Sequence, residues 1–346
     1  MKPIVRETVM QSANFASLDM ALRLEPSPRA MVWGGRLLAD LLGKPLPDAQ
    51  SYGESWEVST HPRQHSFHHD SGRTLADLTR RYPTDMLGRG ASPDTPFPWL
   101  IKWLDCHDWL SVQVHPDAEK VKTLWPGEGS KNEAWFVIAA RPGSKVWAGL
   151  NPGVTHEQLR QASLDGTVAD CLASFEPQPG DCVHLPAGTV HAVGGGVLMA
   201  EIQESSDATF RLFDWNRKDA HGKSRDLHLE QSLAAIDWAQ GPVSPVRTAA
   251  FPPGPGDSCR HILVRCPEFH IDLCSGDTPV GLTSPGTLGA LMQVAGKARL
   301  EYRGSVIPLG MGDTLVLPAA LRQAMWVPEG PAAMIHATVP ALYSSH

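Results

Sequence analysis

The sequence predicts a mainly β protein of two domains with a few short helices, and three observations carry that prediction. Thirty prolines and 31 glycines are spread along the whole length and punctuate short apolar runs, as in proteins built from many strands joined by turns. At 346 residues the chain exceeds one typical core and suggests two domains of about 100 to 200 residues each. Finally, Gly312-Asp313-Thr314-Leu315-Val316-Leu317-Pro318-Ala319 repeats the spacing of Gly180-Asp181-Cys182-Val183-His184-Leu185-Pro186-Ala187, an internal echo of the kind that marks related domains.

Taken in order, strands are expected at Gly53 to Ser59, Trp99 to Leu104, Leu110 to Val114, Trp135 to Ala139, Cys182 to Leu185, Val197 to Gln203 and Thr209 to Phe213. Helix-like apolar spacing occurs at Thr74 to Tyr82, Asp117 to Trp125, Thr155 to Cys171 and Leu229 to Trp238, and Thr155 with Gln158 has the spacing of a capping box. Gly241 to Gly256 is rich in proline and glycine with few groups able to pack, which marks a linker. The expected division is 1–243, a joining segment 244–256, and 257–346. The last part has strands at Ile262 to Cys266, His270 to Cys274, Ala290 to Val294, Arg299 to Tyr302, Thr314 to Leu317 and Ala333 to His336.

Thirty basic against 37 acidic residues give a net charge of −7, which argues against general attraction to nucleic acid or an anionic membrane. An anionic small substrate must then be met by local basic groups. Met1 to Met20 has no apolar stretch of signal-peptide length and no later segment approaches a membrane span, so the expected location is the cytoplasm. Six cysteines without a Cys-x-x-Cys pair read as free, mostly buried thiols. The histidines His61, His65, His68 and His69 lack strand or helix spacing and read as a surface loop.

Four residues from three stretches suit one metal ion. In Ser111-Val112-Gln113-Val114-His115-Pro116 the side chains of a strand alternate, so Gln113 and His115 share a face. Glu133 enters the strand that follows the turn region around Pro126, Gly127 and Gly129. From Gly180 the chain runs through a Gly-Asp turn, a short strand and a Pro-Ala-Gly turn to His191, a layout that resembles the second sequence box of the cupin jelly rolls, whose final histidine is a metal ligand. Imidazole and carboxylate together suit Zn²⁺, Fe²⁺, Mn²⁺ or Ni²⁺, and a neutral amide donor from Gln113 favours a catalytic site over a structural one. Each residue alone has a plainer explanation: a strand-edge cap for Gln113, a backbone contact for His115, solvent beside Lys131 for Glu133, core filling for His191. Carried forward, the internal echo sets Gln323 where His191 stands, so the second copy is expected to be metal-free.

From Val32-Trp33-Gly34-Gly35 through Gly53 to Ser59, Phe97 to Lys102, the Gln113 and His115 box, Lys131-x-Glu133, Pro186 to His191, and Glu201-Ile202-Gln203 to Arg217, the chain resembles the type I mannose-6-phosphate isomerases (phosphomannose isomerases) of the short bacterial form. The segments cover most of residues 30 to 240; the last hundred match only in general character. The resemblance implies two cupin-like jelly-roll β-sandwich domains, the first catalytic with short helical insertions. It further implies one Zn²⁺ per chain on Gln113, His115, Glu133 and His191, and Arg211 as the active-site arginine. Phe213 stands where many relatives have tyrosine, and the large helical insert of the long-form enzymes is absent; both bear on substrate fit.

That family interconverts mannose 6-phosphate and fructose 6-phosphate, moving a proton between C1 and C2 through an enediol, a reaction at home in carbohydrate metabolism and GDP-mannose biosynthesis. A cation and a fixed guanidinium suit the charge developing on the enediol oxygens. Ser111, Lys102 and Lys131 are the expected phosphate donors, and Lys131, two residues from Glu133, should share its face. The base is open among a lysine such as Lys131, Asp214 and a metal-bound water. Strand alternation sets Arg211 and Phe213 on one face and Phe210 and Leu212 on the other, although Arg211 can instead be an ion-pair partner of Asp214 or Glu201. Two other functions compete: an Fe(II) cupin oxygenase, against which a glutamine in the first ligand place counts, and a non-catalytic sugar-binding cupin, against which the full set of Lys131, Arg211 and four ligands counts. Oligomeric state is not set by the sequence.

Overall fold

The computed structural model describes residues 15–218, 222–248, 251–282 and 286–340. Its N-terminal portion carries β1 (Leu22–Arg23), β2 (Ser27–Gly35), β3 (Tyr52–Val58), β4 (Trp99–Cys106), β5 (Val112–Val114), β6 (Glu133–Ala140), β7 (Lys145–Leu150), β8 (Leu172–Phe175), β9 (Cys182–Leu185), β10 (His191–Gly194), β11 (Val197–Glu204) and β12 (Phe210–Phe213). Two sheets form from these, in the orders β2-β3-β4-β11-β6-β9 and β12-β5-β10-β7-β8. All the pairings are antiparallel.

Strand alternation decides what each face of the larger sheet does. Trp99, Ile101 and Trp103 of β4, Phe136 of β6 and Leu198, Ala200 and Ile202 of β11 point one way into an apolar core. The intervening residues turn inward between the two sheets, where Leu104, Trp135, Val137 and Met199 make a second core. At one end of that interior the same strands present Lys102, Glu133 and Glu201 instead, all buried.

Beyond residue 256 lie β13 (Cys259–Arg265), β14 (His270–Gly276), β15 (Val280–Gly281), β16 (Gly289–Ala295), β17 (Ala298–Tyr302), β18 (Ser305–Leu309), β19 (Thr314–Leu317), β20 (Met325–Pro328) and β21 (Ala332–Thr338). Their sheets run β1-β19-β16-β21-β14-β13 and β15-β20-β17-β18. The order β19-β16-β21-β14-β13 repeats β9-β6-β11-β4-β3, and β15-β20-β17-β18 repeats β5-β10-β7-β8. Architecture, and not only a pair of turns, is therefore duplicated. The structure is mainly β, two jelly-roll sandwiches packed through their larger sheets, with Leu263, Ile271, Met292 and Ile335 joining Trp99, Trp103 and Phe136 in one core.

Helices are short where the local chemistry stops them. Thr74 caps Leu75–Arg81 by accepting from Asp77 N, and Thr155 and Gln158 form a reciprocal capping box on His156–Asp165. Gly166 at φ 78° ends that helix, and only a 3₁₀ turn at Val168–Cys171 follows, so the expected run to Cys171 is broken by a left-handed cap. Asp117 to Trp125 reduces to Val121–Leu124, because the Asp117 carboxylate accepts from Glu119 N and Lys120 N and holds the first residues in a turn.

Other expectations change too. Val246 in the expected linker exchanges backbone hydrogen bonds with Cys182 at 2.9 and 2.7 Å, and Val243 N donates to Ala148 O at 3.0 Å. This segment lies along the first sandwich as an added edge. His61 and His68 are buried, not in a surface loop: His61 stacks edge-on with Trp56 and faces Glu128 at 3.3 Å, while His68 contacts Ser71 at 2.9 Å.

Candidate metal centre

His191 opens β10 directly opposite Gln113 of β5, whose other neighbour across the sheet is Arg211 of β12. Val112 and Val114 turn into the core while Gln113 lines a cleft of about 240 Å³. One strand spacing thus sets three site residues in a row across the smaller sheet. Glu133, first residue of β6, reaches the same place from the larger sheet.

Among the described residues, His115, Glu133 and His191 form the one group of three such side chains able to hold a metal ion, their donor atoms within 4.8 Å of one another. His191 Nε2 stands 3.1 Å from Glu133 Oε1, and His115 Nε2 stands 3.5 Å from Oε2. Each imidazole donates its Nδ1–H to a backbone carbonyl, His115 to Ala208 O at 2.8 Å and His191 to Thr189 O at 2.9 Å. That bond fixes the tautomer and leaves both Nε2 lone pairs aimed at Glu133. Gln113 Nε2 lies 3.2 Å from His191 Nε2, and a half-turn of the amide exchanges its nitrogen for oxygen.

A cation fits these residues. Glu133 is 0 % exposed, and neither of its oxygens has a hydrogen-bond partner among the described residues. A sealed carboxylate in that state is costly unless positive charge stands beside it. Lys131 Nζ approaches Oε2 to 2.6 Å and His115 Nε2 to 3.0 Å. Burial alone would raise the carboxyl pKa of Glu133, but Lys131, His115 and His191 outweigh it and hold the group well below its ordinary range. Burial, and then Lys131, push His115 down to about 4, so its ring is neutral near neutral pH, with the Nε2 lone pair facing Lys131 Nζ at 3.0 Å.

The structure brings Ser111, Lys102, Lys131, Gln113 and Arg211 to the cleft wall. Lys102 is engaged there, with Nζ 2.7 Å from Gln203 Oε1 and 2.8 Å from Glu201 Oε2. Burial opposes its charge, and Glu201, Glu54 and Asp207 more than compensate, so its pKa stands above the usual lysine value. Arg211 donates to Asp226 O at 2.8 Å and its Nε is buried without a partner among the described residues; neither Asp214 nor Glu201 pairs with it. Burial and the nearby Arg225 lower its pKa.

Asp214 does not reach the cleft. Its carboxylate accepts from Arg225 Nε at 2.8 Å, from Arg225 Nη2, and from Arg217 Nη2 at 2.9 Å, and those arginines overcome burial to keep its pKa low. Phe213 is a correction to simple alternation. The ladder slips between Arg211 and Phe213, so Phe213 joins Phe210 and Leu212 in the core and does not bear on substrate fit. Arg29, Glu54, Arg63, Asp207, Arg225 and His228 also line the cleft, and the sequence reading left them out. Arg63, Asp207, Arg225 and His228 come from irregular segments where periodicity is silent, whereas Arg29 and Glu54 face each other across β2 and β3; the available signal was the run Arg217, Lys223, Arg225 in an acidic chain.

Comparison with known proteins gives one answer. The family described as "Phosphomannose isomerase type I, catalytic domain" matches residues 21–136. The mannose-6-phosphate isomerase of Streptococcus mutans is 33% identical over 303 residues, covering 87% of this chain and 93% of the relative. Mannose-6-phosphate isomerase ManA of Bacillus subtilis is 32% identical over 303 residues, with the same coverage of 87% and 93%. The crystal structure of the Bacillus subtilis mannose 6-phosphate isomerase superposes with a TM-score of 0.80 at 26% identity, over 92% of this chain and 99% of that one. A mannose 6-phosphate isomerase described as holo and zinc bound shares the fold, with a TM-score of 0.71 at 16% identity over 91% of this chain and 98% of that one. With coverage nearly end to end and the metal-site side chains gathered at one end of its first sandwich, this chain belongs to the type I mannose-6-phosphate isomerase family of enzymes.

Proposed function

We propose that the chain interconverts mannose 6-phosphate and fructose 6-phosphate using one zinc ion, moving a proton between C1 and C2 through an enediol. The observation that carries this reading is the pair of fixed imidazole rings whose Nε2 atoms converge with Lys131 on a sealed Glu133, at the foot of a cleft lined by six basic and three acidic side chains. In a chain of net charge −7, that local positive excess suits a sugar phosphate.

Zinc would be held by His115, Glu133 and His191 with the amide of Gln113, and would supply positive charge beside the reacting sugar oxygens without redox chemistry. Arg211, next to Gln113 in the row, is placed to stabilise the negative charge that develops on those oxygens. Lys131 Nζ, buried between His115 and Glu133, is the proton-carrying side chain nearest the metal site and our choice for handling the substrate proton. Lys102 with Glu201, and Ser111, supply fixed partners for sugar hydroxyls. Asp214 is a positioning residue and not the base. We also propose the domain division 1–243, 244–256 and 257–346, supported by the duplicated strand order, with β1 reaching across as an arm on β19.

The test is metal analysis with a coupled assay. Purified protein should contain about one zinc per chain, convert mannose 6-phosphate, and lose turnover on chelation. His191→Ala should remove the metal, whereas Arg211→Ala should retain it and lose at least ~100-fold in kcat. Absence of turnover in fully zinc-loaded protein would sink the proposal, and a fully active Arg211→Ala would remove the charge-stabilising role.

A further inference from the structure

The row of His191, Gln113 and Arg211 does not stop at the sheet edge. His228 extends it: its backbone N–H donates to Arg211 O at 2.7 Å, and its Nδ1 accepts from Arg211 N at 3.1 Å. With neighbouring strands about 4.8 Å apart, the row runs roughly 14 Å outward from the metal-site histidine. A sugar 6-phosphate that reacts at C1 and C2 carries its anion on the far carbon, so the phosphate belongs toward the outer end of this row.

That end gathers the guanidiniums of Arg211, Arg217 and Arg225 among the carboxylates of Asp214, Asp226 and Asp108, and the buried Arg211 Nε has no hydrogen-bond partner among the described residues. Arg225 and His228 line the cleft and, with Arg211, a shallow depression opening beside it. The Asp214 carboxylate is shared between Arg225 and Arg217, and Arg211 adds a third guanidinium close by. Elsewhere in the cleft each cation is matched: Arg63 by Asp207 at 2.7 Å, Arg29 by Glu54 at 3.6 Å, Lys102 by Glu201 at 2.8 Å and Lys131 by Glu133 at 2.6 Å. Because His228 Nδ1 accepts from Arg211 N, its Nε2 carries the hydrogen and is a neutral donor.

We propose that Arg225, aimed by Asp214, and the Nε2–H of His228 form the subsite that binds the substrate's phosphate, with Arg211 between them and the metal centre. The identity of the sugar rests on the proposed isomerase activity, whereas the anion chemistry, a phosphate monoester dianion, rests on these residues alone. Guanidinium forks bind such dianions through two parallel N–H bonds. Asp214 spends its oxygens on one side of Arg225 and leaves the rest of the fork to face the cleft.

The experiment combines calorimetry with inorganic phosphate and steady-state kinetics with mannose 6-phosphate, on the zinc-loaded full chain. Arg225→Gln should weaken phosphate binding and raise KM by roughly 10- to 100-fold, with kcat within about threefold, and with zinc content and melting temperature unchanged. Arg225→Lys keeps the charge beside Asp214 but loses the fork, and should still weaken phosphate binding by about 3- to 10-fold. Arg299→Gln, which removes a cation paired with Glu301 at 2.6 Å on β17 of the second sandwich, controls for net charge and should leave phosphate binding alone. Unchanged phosphate affinity in both Arg225 variants overturns the subsite, as does transfer of the loss to Arg63→Gln. If the unaltered enzyme fails to isomerise mannose 6-phosphate, the activity reading falls by itself, and phosphate calorimetry still decides Arg225.

Discussion

A buried histidine that must stay neutral is a liability in acid, and His336 on β21 is one. It is 5 % exposed, and burial, then Arg260, push its pKa down to about 4 against the partial help of Asp272. The unfolded chain takes up this proton below pH ~6.5 and the folded chain only below about 4. Stability from this group is therefore complete above pH ~6.5 and falls as pH drops through the window between the two values, by roughly 3 kcal/mol in all. His336→Gln should show a shallower loss of urea midpoint between pH 6.5 and 4 than the unaltered protein. Equal slopes would mean that other groups carry the acid sensitivity. At this scale the candidate metal-site residues were legible in the sequence through strand period, turn spacing and the family resemblance: Gln113 and His115 are two apart, as are Lys131 and Glu133. Arg225 and His228 were not, because Arg225 is held by Asp214 and His228 by Arg211, contacts distant in sequence that no periodicity encodes.

Among the elements, the Pro186-Ala187-Gly188 turn does more than connect β9 to β10. Gly188 sits at φ 89°, donates its N–H to His115 O at 2.7 Å and accepts from Asp237 N at 3.0 Å. A Cβ at this position would stand 2.8 Å from Asp237 Cβ and 2.9 Å from Asp237 N. Gly188→Ala is both strained and obstructed, and the displacement falls on the turn that delivers His191 and braces His115. The expected result is zinc affinity weakened by at least ~10-fold with the remainder of the fold intact, read by competition with a chromogenic chelator. Unaltered affinity would show that the turn absorbs the methyl group elsewhere. Many strands were readable from short apolar runs, with ends that moved by three residues at most, whereas β1, β2, β7, β8, β15, β18 and β20 were not expected. The slip after Arg211 was invisible, because a bulge changes which residues face the core without changing their chemistry.

For the whole molecule, the shared core between the larger sheets matters more than the linker. Trp99, Trp103, Phe136 and Ile202 meet Leu263, Phe269, Ile271 and Ile335 there, all nearly or fully buried, and each such side chain contributes about 1.5 to 3 kcal/mol when removed from water. Residues 1–243 alone would expose that face, so the fragment should be insoluble or bind hydrophobic dye, while the full chain should unfold in one calorimetric transition. Two separate transitions would refute the shared-core account. The sequence showed the duplication through one Gly-Asp turn and one Leu-Pro-Ala turn, yet gave no sign that the halves fuse face to face, since a run such as Trp99 to Leu104 does not say which partner covers it.

The duplicated ladders also fix which residue of the second sandwich stands in the position of Glu133. Leu185 pairs with Glu133 in the first sandwich and Leu317 pairs with Gly289 in the second. A glycine there lets His336 come within 3.3 Å of where a Cβ would be, so the place Glu133 takes in the first sandwich is filled in the second by a neighbour's ring. Restoring an acid at 289 would therefore require evicting His336 first. The two copies are therefore unequal: the first gathers buried charged groups at this place, and the second sets a glycine and a buried ring there while its larger sheet forms the wall on which the first one leans.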